Sequence, residues 1–246
     1  MEPAIRELPV PVLALPHWRV NIRPTTYREN LIPSLSKCFE VVEQTKVRLR
    51  GWDYPHLSSR STQRGQGANW IASWSNAFGH NEYWRFYQSG QFLHLFSVRE
   101  HSETDFHAHL EKVSRTHHYL QEPNWPSVKG YISLLNFVYT VTEIFEFGAR
   151  LSEKDIYQGD IEFRIDLRDI AGFLLTVEAN RAWHSCYQSS EDHLGNTWMI
   201  RSDVLIAESA KKSLDAIVWF FERFGWMNPP IEALRSDQEQ LIKGLI

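Results

Sequence analysis

The residues best suited to binding chemistry are concentrated between Lys46 and Glu100. This stretch contains seven arginine or lysine residues and three acidic residues, whereas the whole chain of 246 residues has a formal net charge of −4. Four of the ten tryptophans also lie in it. Flat rings beside guanidinium groups suit stacking on an aromatic ligand or pairing with an anion. We therefore predict that the ligand-binding residues are Arg48, Arg50, Trp52, Asp53, His56, Arg85, Tyr87 and His94.

The first group of these residues follows a predicted strand. Over Lys46–Trp52, apolar residues alternate with basic ones, which indicates a half-buried strand that carries its cations on one side. The segment Gly51–His56 then places Trp, Asp, Tyr and His together at the strand end, where scaffolds often hold binding groups. Two interpretations remain open: a ligand site, or a rigid turn in which Asp53 caps a backbone amide and Trp52 fills the core.

A predicted hairpin over Glu82–Ser97 carries the second group. Two runs of strand-forming aromatic residues flank Ser89-Gly90, and a two-residue turn at these positions pairs Trp84 with Leu95. One face of the hairpin is then apolar. The other face suits a base or a nucleotide, because it combines rings with cationic or titratable groups: Tyr83, Arg85, Tyr87, Phe92, His94 and Phe96. The alternative is an ordinary central hairpin that helices cover on both sides.

Five histidines after the hairpin raise the question of a metal site: His101, His107, His109, His117 and His118. His107 and His109 are two positions apart and point to different sides of a helix, and the chain has no HExxH motif. The two cysteines, Cys38 and Cys186, form no CxxC pair. We therefore predict neither a metal nor a cofactor.

Composition predicts a globular protein of the cytoplasm. Apolar residues make up 43% of the chain, which is enough for a packed core. Two cysteines give no disulfide framework and fit a reducing compartment. No uncharged apolar run approaches bilayer length, so no membrane association is predicted. Residues 1–100 carry twelve basic and eight acidic residues and residues 101–246 carry fourteen and twenty-two, so the halves are suited to attract each other or another copy.

The order of the predicted elements indicates an α+β fold with largely antiparallel sheets and packed helices. Prolines interrupt residues 1–17, which we predict to be an extended arm that becomes ordered on a partner. Residues 18–228 form the globular body, either as a single compact domain or as two intimately packed halves, 18–122 and 130–228. Residues 229–246 are predicted to contain an amphipathic helix that docks on the body or on another subunit.

Several predicted elements are specific enough to compare with a structure. The spacing of large apolar residues predicts a short helix over Asn69–Phe78. Alternation predicts a second hairpin from Ile161–Leu167 and Phe173–Val177. Long buried helices are predicted over Gly130–Leu151 and over residues 202–225.

Three functional hypotheses from different classes follow. The first is a non-catalytic sensor or accessory subunit of a larger bacterial intracellular assembly, which holds an anionic or aromatic ligand, or a protein partner, through the basic and aromatic-rich region 46–99. The second is a phosphoester hydrolase or nuclease that uses Asp53 and His56 as base or ligand. The third is a direct nucleic-acid binder that stacks bases on the hairpin at residues 83–96. The lack of a catalytic motif favours the first hypothesis.

Overall fold

Seven strands form one antiparallel sheet that organises the rest of the chain. The computed structural model describes residues 8–57, 62–77, 80–102, 111, 123–177, 181, 183 and 185–245. The strands in chain order are β1 (His17–Pro24), β2 (Gln63–Gln66), β3 (Trp70–Ala77), β4 (His80–Tyr87), β5 (Phe92–Ser97), β6 (Gly130–Ser133), β7 (Asp160–Arg168), β8 (Phe173–Thr176) and β9 (His193–Arg201). The large sheet has the order β2-β3-β4-β5-β1-β7-β9, and β6 and β8 form a separate parallel pair.

Four α-helices pack with this sheet in the described part of the chain: α1 (Leu35–Thr45), α2 (Leu134–Glu153), α3 (Ser202–Arg223) and α4 (Ile231–Ile242). The α+β class and the single compact domain that the sequence allowed are confirmed. The C-terminal helix α4 buries Leu234, Gln238 and Leu241 against the body, and the Gln238 amide donates to Thr142 of α2 and to Ser213 of α3. None of the helices within the described residues combines the length and the apolarity that a bilayer crossing requires.

We call the side of the large sheet that packs on α2 and α3 the inner face, and the opposite side the outer face. Side chains alternate along a strand, so Trp18 of β1 points to the inner face and Arg19 to the outer face. The Trp18 ring lies 4.8 Å from the ring of Phe137 in α2 and 5.9 Å from the ring of Phe220 in α3. The main hydrophobic core therefore lies between the inner face and these two helices.

The strand β1 joins the two halves that the sequence suggested. It pairs with β5 on one side, where Trp18 faces Phe96, and with β7 on the other, where Trp18 faces Leu167. Elements from residues 18–122 and 130–228 thus share a single sheet.

Residues 8–14 of the predicted arm pack on the outer face. Val10 and Val12 are buried against Tyr83, Leu93 and Leu95, which belong to β4 and β5. For this part of the arm, the sheet of the same chain supplies the packing surface. Residues 1–7 lie outside the described residues.

The predicted helix over Asn69–Phe78 is wrong, because residues 70–77 form β3. In a strand, Trp70 and Trp74 lie on the outer face and Ile71 lies on the inner face. The spacing of these three residues fits a helical stripe and a strand equally well. Pairing with β2 on one side and β4 on the other stabilises the strand.

Two further predicted elements are wrong. The segments Ile161–Leu167 and Phe173–Val177 do not form a hairpin, because β7 pairs with β9 and β8 pairs in parallel with β6. The strand predicted over Lys46–Trp52 is reduced to a single bridge between Val47 and Tyr54. The long helices at 130–151 and 202–225 are present as α2 and α3, although β6 takes the first four residues of the former.

The hairpin over Glu82–Ser97 is present, but its register differs from the predicted one by one residue. The turn has three residues rather than two, because the amide of Tyr87 donates to the carbonyl of Gln91 at 2.9 Å. Gly90 takes a left-handed conformation in this turn, with φ 81°. A shift of one residue exchanges the faces of β5, so His94, and not Leu95, lies opposite Trp84.

The predicted mixed face of this hairpin is therefore corrected. Tyr83, Arg85 and Tyr87 lie on the outer face of β4, where they share the surface with Leu93 and Leu95 of β5. The other three predicted members of that face are buried on the inner face: Phe92, His94 and Phe96.

Candidate functional site

A cavity of about 360 Å³ lies between the inner face of the large sheet and the first half of α2. Residues of β4 and β5, of α2 and of the segment 50–56 form most of its wall. Five aromatic side chains belong to this wall: Trp18, Trp52, Tyr54, Phe96 and Phe137. A cavity of this volume accommodates a small organic molecule.

The segment from Val47 to Tyr54 folds back on itself beside the cavity. These two residues exchange both backbone hydrogen bonds at 2.8 Å, and Gly51 takes the left-handed conformation of the turn between them, with φ 85°. The turn leaves Trp52 at the cavity with 38% of its surface exposed. It also buries the Tyr54 ring, whose centroid is 5.1 Å from that of His94.

Arg50 is anchored inside the protein by Glu143 of α2. Its guanidinium donates two hydrogen bonds to the Glu143 carboxylate, at 3.1 and 2.5 Å, and a third to the Thr140 hydroxyl at 3.3 Å. Burial raises the pKa of Glu143, and the charge of Arg50 offsets only part of that effect. The guanidinium groups of Arg50 and Arg99 lie 5.0 and 4.9 Å from the Trp52 ring, so two cations fix the indole at the cavity wall.

Asp53 is buried and is held by basic residues of its own segment. The Nε group of Arg48 donates to its carboxylate, and Nζ of Lys46 lies 3.7 Å away. The Arg48 side chain is 61% exposed and does not belong to the cavity wall. In this structure Arg48 positions Asp53, while Asp53 itself contributes to the wall.

Glu82 of β4 is a buried carboxylate in the cavity wall. Its Oε1 atom accepts hydrogen bonds from the backbone amide of His56 at 2.9 Å and from Nε2 of His94 at 2.8 Å. Burial raises the pKa of Glu82, but the hydrogen bond from His94, the charges of His94 and His80 and the His56 amide overcome this effect and lower the pKa to about 2. Glu82 is therefore ionised at neutral pH although it is 6% exposed.

Three residues of the cavity wall have buried polar atoms without a hydrogen-bond partner among the described residues. These atoms are Oη of Tyr54, Nδ1 of His80 and Nδ1 of His94. Burial raises the pKa of Tyr54 well above its usual value and lowers the pKa of His80. Both groups are therefore neutral at pH 7. Unsatisfied buried polar atoms are rare, and at a cavity they indicate a place where a ligand or solvent completes the hydrogen bonding.

Arg85 and Tyr87 lie on the outer face and do not reach the cavity. The Arg85 guanidinium stacks 4.1 Å above the Trp70 ring and donates to the hydroxyls of Tyr83 at 2.8 Å and Tyr87 at 3.1 Å. This arrangement fixes a planar cation on an indole, with two phenols as acceptors. It is separated from the cavity by the thickness of the sheet.

The structure thus divides the predicted site residues into three groups. Five of them belong to the cavity wall: Arg50, Trp52, Asp53, His56 and His94. Arg48 stands behind Asp53, and the remaining two, Arg85 and Tyr87, belong to the outer face.

Sequence reasoning missed Glu82, His80 and Glu143. Glu82 shares a face with Trp84 and Phe86, and a carboxylate within such an apolar face is the signal that marks a buried charge. Helical spacing aligns Glu143 with polar residues of α2 such as Thr140, whereas Glu143 is 0% exposed and paired with Arg50. Its partner comes from 93 positions earlier in the chain, and helical spacing contains no information about such a contact.

The described residues contain no group of three or more His, Cys, Asp or Glu side chains that could hold a metal ion. The histidines considered for metal binding at 107, 109, 117 and 118 lie outside those residues. Comparison of the chain with protein-family models, with curated proteins and with solved structures gave no significant match. The geometry of the site is therefore the basis for assigning a function.

Proposed function

We propose that this protein is a non-catalytic binding protein that holds a small aromatic ligand in the cavity and serves as a cytoplasmic sensor or accessory subunit. The observation that carries the proposal is the cavity itself. It has a volume of about 360 Å³, and its wall contains five aromatic side chains and the ionised carboxylate of Glu82. Small-molecule sites combine a mostly apolar wall with a few polar groups in this way. The two cysteines are free in the structure, which supports a reducing compartment.

The contacts of the charged residues favour binding over hydrolysis. A general base has to reach the proton that it removes, and a phosphate-binding arginine has to offer its donors to the phosphate. Asp53 is held by Arg48, and Arg50 gives three hydrogen bonds to groups of α2. The hydrolase hypothesis, which uses Asp53 and His56, has no specific observation in its favour.

The register of the hairpin removes the main support for a nucleic-acid platform. That hypothesis needs aromatic rings and cations on one accessible face. Phe92, His94 and Phe96 are buried on the inner face, so they are not available to stack on bases from the outer side. The aromatic ligand of the present proposal instead enters the cavity in which His94 and Phe96 form part of the wall.

The accessory-subunit part of the proposal is supported by apolar residues on the surface around α4. Met227, Ile231, Ile242 and Leu245 are 44 to 70% exposed. Exposed apolar side chains that cluster near one element are typical of protein interaction surfaces. The buried side of the same helix is already docked on the body, so the exposed side is available to a protein partner.

Binding of small aromatic probes tests the proposal. Saturation-transfer NMR on the purified protein with indole, benzamide and adenine should detect at least one of them, because all three fit a cavity of this volume. Trp52→Ala should weaken that binding about three- to tenfold, because it removes one aromatic wall. Met199→Ala is the matched control, since Met199 is 56% exposed on β9 and does not belong to the cavity wall.

Two outcomes would contradict the proposal. One is that no aromatic probe binds to the folded wild-type protein at millimolar concentration. The other is that Trp52→Ala and Met199→Ala bind every probe as tightly as the wild type does. Trp52 is partly exposed, so circular dichroism of Trp52→Ala should show an intact fold and make the comparison interpretable.

A further inference from the structure

The two oxygens of Glu82 are in different situations. Oε1 accepts two hydrogen bonds, from the His56 amide and from His94. No group of the described residues donates a hydrogen bond to Oε2, and Nε2 of His80 lies 3.8 Å from it, which is beyond hydrogen-bond distance. Oε2 is not among the buried polar atoms that lack a partner, so this oxygen is accessible from the cavity. Because Glu82 belongs to the cavity wall, a molecule in the cavity is the available source of a donor to Oε2.

We propose that the ligand is an aromatic molecule with an ammonium or amidinium group, and that this group donates a hydrogen bond to Oε2 of Glu82. The inference rests on the proposed function and specifies the class of ligand. The basic composition of residues 46–99 favours an anionic ligand, whereas the ligand proposed here is a cation.

The charges around the cavity support a cationic ligand. Two arginines belong to the wall. Arg50 forms a bidentate pair with Glu143, and the guanidinium of Arg99 lies on the Trp52 ring. A second buried carboxylate of the wall, Glu100, is 4% exposed and accepts hydrogen bonds from the neutral amides of Ser133 and Asn136. Glu82 and Glu100 are thus two buried carboxylates of the same wall, and a positive group on a ligand is attracted to carboxylates.

The aromatic residues of the wall fit the same class. Faces of Trp and Tyr rings attract organic cations, and aromatic side chains combined with a carboxylate are a recurrent way to bind an ammonium group. Tyr54 belongs to the cavity wall, and its ring lies 5.1 Å from the ring of His94, which holds the other oxygen of Glu82.

Three probes with the same ring and different charge test the inference: benzamidine, benzamide and benzoate. Isothermal titration calorimetry on the wild-type protein should give benzamidine about tenfold or more tighter binding than benzamide, because a hydrogen bond between two charged groups is stronger than one to a neutral group. Benzoate should bind most weakly, because its carboxylate faces Glu82. Benzoate binding that equals or exceeds benzamidine binding would overturn the inference and leave the proposed function intact. Failure of all three probes to bind would contradict both.

Substitutions test whether Glu82 causes the preference for benzamidine over benzamide. Glu82→Gln should reduce the preference for benzamidine over benzamide to within about twofold, because it removes the charge and keeps the shape. Asp166→Asn is the matched control: it also removes a buried carboxylate that accepts a hydrogen bond from a histidine, but on the outer face, and it should leave the preference unchanged. A preference that survives in folded Glu82→Gln would overturn the inference. Should circular dichroism show that Glu82→Gln is unfolded, Glu82→Asp tests the same point, since it keeps the charge and must retain the preference for benzamidine.

Discussion

Two buried carboxylates on opposite faces of the same sheet each accept a hydrogen bond from a histidine. Glu82 on the inner face accepts from His94 at 2.8 Å, and Asp166 on the outer face accepts from His193 at 2.7 Å. In both residues burial raises the pKa, but hydrogen bonds from neighbouring side chains lower it by more, so both carboxylates are ionised at neutral pH.

The pairs differ in how far the protein completes them. Arg164 donates to both oxygens of Asp166, at 3.0 and 3.2 Å, and the side chains of Arg164 and His193 are 43 and 41% exposed. His94 is 2% exposed, and the second oxygen of Glu82 has no donor among the described residues. The outer pair is thus complete and solvated, which is typical of a structural contact. The inner pair is buried and leaves one oxygen of Glu82 open to the cavity, which is typical of a binding site.

The largest expected effect tests how strongly a buried carboxylate on the inner side of the sheet depends on its cation. Arg50→Ala should lower the free energy of unfolding by roughly 3–5 kcal/mol, because it leaves Glu143 buried without its cation. Urea denaturation followed by tryptophan fluorescence measures the change. Arg164→Ala on the outer face should cost clearly less, because water and His193 remain available to Asp166. Equal losses in the two variants would show that the faces do not differ in this way.

The second prediction concerns acid unfolding. The folded pKa of Glu82 is about 2, below its usual value of 4.5, so its contribution is present above pH 4.5 and is lost as the pH falls toward 2. That contribution is about 3 kcal/mol. The free energy of unfolding, measured by urea denaturation at several pH values, should therefore fall less between pH 6 and pH 2.5 for Glu82→Gln than for the wild type. Asp166→Asn should reduce this pH dependence less than Glu82→Gln does, because solvent screens the partners of Asp166.

The smallest expected effect concerns packing on the two faces. A Cβ atom at Gly148 of α2 would overlap the buried ring of Phe163, so Gly148→Ala should destabilise the protein by about 1–3 kcal/mol despite the better helix propensity of alanine. A Cβ atom at Gly65 of β2 would lie 2.9 Å from the ring of Trp74 on the outer face. Gly65→Ala should cost less, because Trp74 is only partly buried and can shift. Thermal unfolding checks both, and a greater loss for Gly65→Ala would contradict the difference in packing.

The sequence predicts the class of fold because periodicity is strong where elements are long. The apolar positions of α2 and α3 and the aromatic runs of β4 and β5 identify four elements of the core, and five of the eight predicted site residues do meet at one cavity. These results depend on local patterns, which a single chain displays directly.

What could not be predicted depends on register and on distant partners. A turn of two residues and a turn of three are both compatible with Ser89-Gly90, and that single residue decides whether His94 points to the cavity or to the outer face. In the sequence Arg50 has the pattern of a free positive charge, because its partner Glu143 lies 93 positions away. For this reason the sequence favours an anionic ligand, and the structure supports a cationic one.

The position of β1 has a consequence for how the chain reaches this structure. Arg23 of β1 and Glu162 of β7 form an ion pair across 139 positions of sequence, and β9 joins the sheet only through β7. Contacts of such long range slow folding, so we expect refolding in the range of milliseconds to seconds rather than microseconds. During synthesis on the ribosome, β5 and β1 become available well before β7 does. Until then β1 is an open strand edge, and that edge is where aggregation of the nascent chain should begin.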